Sequence, residues 1–145
     1  MKNMEWTATL PADLALKTEW YRLEKRDQHT YIKWLCQRIA EAFRPEKIIL
    51  FGSRAYGNPQ EDSDIDLLII MPYAGSHRAE AVRIRNHLGV LAPMDILVRT
   101  PDEVRERIEM GDQFMREIVA RGKVIYEANH TGVDRQSGRR LARRA

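Results

Sequence analysis

The hydrophobic positions of the chain alternate between stripes typical of helices and short continuous runs typical of strands. Over residues 28–43 the apolar positions recur at helical spacing, which predicts an amphipathic helix ended by Pro45. A weakly patterned helix is predicted over residues 12–26. The buried stripe of the clearer helix comprises Ile32, Leu35, Cys36, Ile39, Ala40 and Phe43.

Short apolar runs, bounded by turn residues, predict buried strands in the rest of the chain. They cover residues 47–51, 64–71, 94–100 and 123–127. Strands and helices alternate, so the pattern favours an α/β (α+β) domain in which helices pack on a small sheet.

Three helices are predicted between these strands. The first covers residues 77–89; the second starts at Thr100, with Glu103 placed for a capping box; the third starts after Asp112 and ends at Gly122. The first is expected to face inward with Ala81, Val82, Ile84 and Leu88.

Composition and length narrow the class of protein. The chain has 145 residues, 43% of them hydrophobic and 31% charged, which is typical of one soluble globular domain. No apolar run approaches the ~20 residues of a membrane span, and the N-terminus lacks the pattern of a secretory signal. Cys36 is the single cysteine. With one cysteine no intramolecular disulfide can form, so a cytoplasmic location is expected. Cys36 itself is interpreted as a core residue.

The positive charge is concentrated at the C-terminus. Residues 129–145 contain five arginines and one aspartate, so the net charge of +3 comes from this end of the chain. The segment lacks apolar periodicity and is expected to be a disordered tail, although a basic arm that contacts nucleic acid or a partner remains an alternative. The predicted organisation is a helical segment at 1–45 packed on a core at 46–127, followed by a basic tail at 128–145.

Two aspartates open the second predicted strand, one residue apart. Residues i and i+2 of a strand project from the same face, so Asp64 and Asp66 would point in the same direction and repel each other. A divalent cation resolves this conflict, because hard carboxylate oxygens suit Mg²⁺ or Mn²⁺. The alternative is that Asp64 is a turn residue and Asp66 a solvated charge at the end of the strand.

A third carboxylate and a glycine turn favour the metal interpretation. Asp95 opens the next predicted strand, and neighbouring strands would bring it beside Asp64 and Asp66. Gly52 and Ser53 follow the first strand, where a tight turn can bind phosphate oxygens. Three carboxylates beside such a turn are what a two-metal phosphoryl-transfer site requires.

The stretch "GSRAYGNPQEDSDIDLLII" resembles the signature of the minimal nucleotidyltransferases of the DNA polymerase β-like superfamily. The matching positions are Gly52, Ser53, Gly57, Ser63, Asp64, Asp66, Leu67 and the third acidic residue, Asp95. The resemblance covers roughly residues 46–127 and implies a small mixed sheet with helices on one side.

The same resemblance implies a chemistry and a set of roles. The family transfers a nucleoside monophosphate from an NTP, here expected to be ATP, to an acceptor hydroxyl with Mg²⁺ or Mn²⁺. By this likeness Asp64, Asp66 and Asp95 are the catalytic, metal-binding residues. The nucleotide-binding residues are Gly52, Ser53, Arg54 and Ser63. Many members have arginine just before the second glycine, where this chain has Tyr56, and Arg54 is a candidate replacement.

The acceptor is open at this stage. Similar stand-alone proteins are commonly antitoxins of HEPN-domain ribonuclease toxins, some of which they adenylylate on tyrosine, so a protein hydroxyl is the first expectation. The alternatives are a small-molecule enzyme like the aminoglycoside nucleotidyltransferases, a non-catalytic antitoxin that acts by binding, and an enzyme that modifies nucleic-acid ends. A homo-oligomer is compatible with each of them.

Overall fold

The strands and helices are defined by a computed structural model that describes residues 25–57, 64–90 and 92–129. In chain order the elements are α1 (Lys25–Phe43), β1 (Lys47–Phe51), α2 (Ser53–Tyr56), β2 (Ile65–Ile70), α3 (His77–Leu88), β3 (Met94–Arg99), α4 (Pro101–Glu109), α5 (Gln113–Arg121) and β4 (Lys123–Glu127). The helix predicted over 12–26 lies almost entirely outside the described residues. Ser63 and the tail from residue 130 also lie outside them.

Helix ends fall where the sequence signals place them. The helix before Pro45 ends at Phe43, and Arg44 leaves the right-handed region with a φ of 51°. The predicted capping box is confirmed: Thr100 Oγ1 accepts from the Glu103 amide at 3.0 Å, and Glu103 Oε1 accepts from the Thr100 amide at 2.9 Å. Asp112 caps α5 by a single bond, in which its side chain accepts from the Met115 amide. These local signals therefore fix the boundaries of α1, α4 and α5.

The four strands form one mixed sheet in the order β3-β2-β1-β4. The β1 strand is antiparallel to both β2 and β4, whereas β2 and β3 are parallel and are joined through α3. A parallel pair needs a crossover connection of this kind. The structure confirms the predicted mixed sheet with helices packed on it.

Helices cover both faces of the sheet, which corrects the expectation of helices on one side only. The larger core lies between one face and helices α1 and α3, and Leu35, Ile39 and Ile84 are fully buried in it. The second core lies between the other face and helices α4 and α5, where Met115 and Ile118 are buried. The continuous apolar runs of β1 and β2 explain this arrangement, because side chains on both faces of those strands need cover.

Two further predictions concern single side chains. Cys36 is fully buried in the larger core, and burial raises the pKa of its thiol, so its interpretation as a core residue is confirmed. The inward placement of Val82 is wrong, since its side chain is 54% exposed. The buried positions of α3 are Glu80, Ile84 and Leu88. At 100° per residue, Val82 lies on the opposite side of the helix from Ile84.

Among the helices in the described ranges, none has the length and apolar character needed to cross a membrane.

Candidate functional site

One edge of the sheet brings together the end of β1 and the beginnings of the other three strands. The β2 and β3 strands start side by side because they are parallel, with Ile65 opposite Met94. Antiparallel pairing places the end of β1 at the same edge, where Leu50 lies opposite Lys123 at the start of β4. Residues distant in sequence therefore meet at this edge, which we call the site edge.

The three predicted carboxylates lie at the site edge. Asp66 and Asp95 are direct partners in the parallel register of β2 and β3. Adjacent strands are about 4.8 Å apart, so these two backbones are as close as a sheet allows. Asp64 is exposed and immediately precedes β2. The start of β3 is held in position by the Arg85 side chain of α3, which donates to the Met94 carbonyl oxygen.

Gly52 lies directly against the Asp66 side chain. Its φ of 78° and ψ of −165° belong to a region that is essentially restricted to glycine. A Cβ built at this position would overlap Asp66 Oδ2 and lie 3.1 Å from Asp66 Cγ. The turn after β1 therefore leaves a space that a side chain would fill, next to a carboxylate.

The charge of Asp66 is destabilised by its surroundings. Burial, followed by the negative charges of Asp95 and Asp64, raises the pKa of Asp66 to about 6 from its ordinary value of 3.8. Phe51, the register partner of Asp66 on β1, is only 5% exposed. In turn, Phe51 packs edge-on against Phe114 of α5, with ring centroids 5.7 Å apart. The site edge thus combines partial burial with unbalanced negative charge.

The carboxylate oxygens of Asp64, Asp66 and Asp95 are of the kind that binds a hard divalent cation, although the three side chains are not arranged around one metal position. Within the described ranges, no three acidic, histidine or cysteine side chains are grouped so that they could hold a metal ion. The like charges of Asp64, Asp66 and Asp95 repel one another. Their oxygen donors suit Mg²⁺ or Mn²⁺, and the raised pKa of Asp66 is the effect that a nearby cation would reverse.

The short helix α2 follows Gly52 and carries Ser53 and Arg54, two of the predicted nucleotide-binding residues. The Gly52 carbonyl oxygen accepts from the amides of Ala55 at 2.9 Å and Tyr56 at 3.0 Å. The Ala55 and Tyr56 amides are thus already bonded within the turn. A phosphate at this turn would therefore be bound by groups nearer the start of α2, beginning with the Ser53 hydroxyl. Arg54 Nη1 donates to Gln28 Oε1 of α1 at 3.1 Å, which ties α2 to the first helix.

Sequence reasoning missed a group of basic residues that also reach the site edge. Arg121 ends α5, and its Cζ lies 4.2 Å from the centroid of the Tyr56 ring. Lys123 is close enough to His29 of α1 to help lower the pKa of that imidazole, after burial and Lys33. The signal that could have identified them is the pairing of β4 with β1, because antiparallel pairing brings the start of β4 to the end of β1.

The charges at the site edge are divided by strand. Acidic residues occupy the β2 and β3 side, basic residues occupy the β4 side, and the uncharged Gly52 and Ser53 lie between them. The ion pairs between described residues do not include Asp66 or Asp95. This arrangement can bind a ligand that presents both metal-chelating oxygens and further negative charge, as a metal-bound polyphosphate does.

Comparison with known proteins identifies the family of this fold and site. No curated protein matches the chain. The model of the family described as "Polymerase beta, Nucleotidyltransferase" matches residues 35–131, a range that includes the sheet, the glycine turn and all three aspartates. Since this match covers more than half of the chain, the protein belongs to the polymerase beta nucleotidyltransferase family.

Proposed function

We propose that this protein is a Mg²⁺-dependent adenylyltransferase that moves AMP from ATP to a hydroxyl group of a protein partner. The observation that carries the proposal is the register pairing of Asp66 with Asp95 beside Gly52, at an edge where negative charge raises the pKa of Asp66. Membership of the nucleotidyltransferase family supports the class of reaction.

We assign each side chain a role that its position supports. The Ser53 hydroxyl, at the start of α2, binds β- and γ-phosphate oxygens of the nucleotide. Asp64, Asp66 and Asp95 would hold Mg²⁺, or Mn²⁺ as a substitute, and the chemistry supplied by such an ion would be neutralisation of the phosphate charge. Asp95 is exposed, so it can also accept the proton of the incoming hydroxyl. The acceptor oxygen attacks the α-phosphorus, the bond to the β-phosphate oxygen breaks, and pyrophosphate leaves.

The nature of the acceptor is supported by the motif. The glycine turn and the paired aspartates resemble those of minimal nucleotidyltransferases, whose stand-alone members are commonly antitoxins of HEPN-domain toxins. We therefore propose that the acceptor is a toxin of this type, encoded beside the protein.

Co-expression with the genomic neighbour, followed by intact-mass measurement of that neighbour, tests the proposal. We expect a mass increment of one or more nucleoside monophosphates with the wild type. The increment should vanish with the Asp64→Asn/Asp66→Asn double variant, because phosphoryl transfer depends on charge neutralisation and positioning. The matched control is Asp102→Asn, which makes the same change at an exposed position of α4, outside the site edge.

Each other outcome is informative. An increment that persists with the double variant would contradict the assignment of the aspartates. A stable complex without any increment would favour an antitoxin that acts by binding alone. If neither increment nor complex is observed, the protein acceptor is wrong.

A further inference from the structure

The guanidinium of Arg121 lies on the ring of Tyr56, close to the predicted phosphate-binding turn. The distance from Arg121 Cζ to the ring centroid is 4.2 Å, a cation–π arrangement. Tyr56 is the last residue of α2 and Ser53 is the first. Residues three apart on a helix have Cβ atoms roughly 5–6 Å apart, so Arg121 contacts the ring of a residue one helical turn from Ser53.

The position of Arg121 is fixed by the residue that follows it. A Cβ at Gly122 would lie 2.5 Å from both the Ile118 carbonyl oxygen and Ile49 Cγ2, and 3.1 Å from the Leu50 carbonyl oxygen. The turn between α5 and β4 is therefore pressed against the end of β1, as close as glycine permits. This packing carries Arg121 to the site edge.

We propose that Arg121 binds the β- and γ-phosphates of the nucleoside triphosphate, with Tyr56 as the platform that orients its guanidinium. The inference rests on the proposed function and adds a residue outside the motif to its nucleotide site. A planar guanidinium matches two phosphate oxygens at once, and stacking on a ring leaves its edge available for hydrogen bonds.

The existing partner of Arg121 is compatible with this role. Its Nη1 donates to Glu117 Oε2 at 2.8 Å, within the same helix. That bond occupies one of the five donors of a guanidinium. The side chains of Arg121 and Glu117 are 56% and 47% exposed, and surface ion pairs of this kind contribute little to stability. Replacing the Glu117 carboxylate by a phosphate as the partner of Arg121 therefore costs little free energy.

A purely structural role for Arg121, such as covering Tyr56, makes a different prediction. If Arg121 only covered the Tyr56 ring, its loss would disturb α2 and would weaken the binding of every ligand of the site to the same extent. A phosphate-binding role affects only ligands that carry β- and γ-phosphates. The ratio of the affinities for ATP and AMP therefore separates the two roles.

Isothermal titration calorimetry with ATP, AMP and inorganic tripolyphosphate, each with Mg²⁺, tests the proposal on the full chain. For Arg121→Gln we expect ATP and tripolyphosphate to bind on the order of tenfold more weakly, or worse, because a charge-assisted contact is lost. AMP affinity should stay within about twofold. Arg121→Lys should be intermediate, since it keeps the charge without the fork. If Arg121→Gln does not fold, as judged by circular dichroism, the lysine variant decides.

The matched control is Arg105→Gln on α4. Arg105 is 61% exposed and pairs with a carboxylate of its own helix, as Arg121 does. If Arg121→Gln affects ATP no more than this control does, or weakens ATP and AMP equally, the proposal is wrong. A wild-type protein that transfers AMP while Arg121→Gln binds ATP normally would overturn this inference alone. A wild type that binds neither ATP nor tripolyphosphate would overturn the proposed function as well.

Discussion

Replacement of Gly52 by alanine tests the close contact between the glycine turn and the carboxylates. The backbone at Gly52 has a φ of 78° and a ψ of −165°, which a residue with a side chain adopts at a cost of about 1–3 kcal/mol. The new Cβ would also overlap Asp66 Oδ2. Asp66 would have to rotate away, and an off-rotamer side chain adds about 0.5–1.5 kcal/mol. We therefore expect Gly52→Ala to lower the free energy of unfolding by about 1.5–4.5 kcal/mol.

Gly57→Ala is the matched control for this change. Gly57 also has a positive φ, of 94°, but no atom of the described residues lies within 4 Å of a Cβ built there. Gly57→Ala should therefore lower the free energy of unfolding only by the cost of the left-handed conformation, about 1–2 kcal/mol. The excess loss in Gly52→Ala over Gly57→Ala therefore measures the conflict with Asp66.

Urea denaturation followed by circular dichroism, with and without Asp66→Ala in the same chain, completes the test. Removing the Asp66 carboxylate removes the overlap, so the two changes should be less than additive, with a coupling of about 0.5–3 kcal/mol. We also expect nucleotidyl transfer by Gly52→Ala to fall at least about 100-fold, because displacement of a catalytic group by 1 Å can cost that much. Equal stability losses in Gly52→Ala and Gly57→Ala, together with additive effects, would refute the reasoning.

Two further predictions concern opposite edges of the sheet. Since the pKa of Asp66 is raised from 3.8 to about 6, the folded protein keeps a proton that the unfolded chain has released, and stability falls as the pH rises through this window. Asp66→Asn should therefore raise the Tm of the metal-free protein at pH 8 and leave it unchanged below pH 3.8; a lower Tm at pH 8 would contradict this. At the far edge, Thr100→Ala removes the capping box of α4 and should cost about 1–2 kcal/mol in urea denaturation. It should spare ATP affinity, and a change in that affinity in the folded variant would mean that the two edges are coupled.

The elements of this fold were predictable because their signals are local. A proline after an amphipathic stripe, the capping box at Thr100 and the cap at Asp112 each act within a few residues. The position of Asp95 beside Asp66 also follows from the sequence, once the two strands are assumed to be neighbours. The exact register requires the structure, since a shift by one residue would turn Asp95 to the other face.

Features that depend on distant pairing were not predicted. Helices were expected on one side of the sheet, whereas they lie on both sides. The continuous apolar runs of β1 and β2 indicate this arrangement, because the side chains on both faces of these strands must be buried. Arg121 was interpreted only as part of a helix that ends at Gly122. Its place beside Tyr56 depends on β4 pairing with β1, and residues 48–51 and 122–124 are far apart in the chain. A local pattern contains no information about that contact.

Strand order explains how the site edge keeps both its acidic and its basic residues available. In the order β3-β2-β1-β4, two strand spacings, about 10 Å, separate Asp66 on β2 from Lys123 on β4. A sheet with β4 beside β2 would bring these charges together, and mutual neutralisation would remove the reason to bind a cation or a phosphate. The intervening strand β1, which is followed by the uncharged turn residues Gly52 and Ser53, keeps them apart. The repulsion among Asp64, Asp66 and Asp95 is thus preserved by the topology, and a metal-bound triphosphate is the kind of ligand that relieves it while also meeting the basic side.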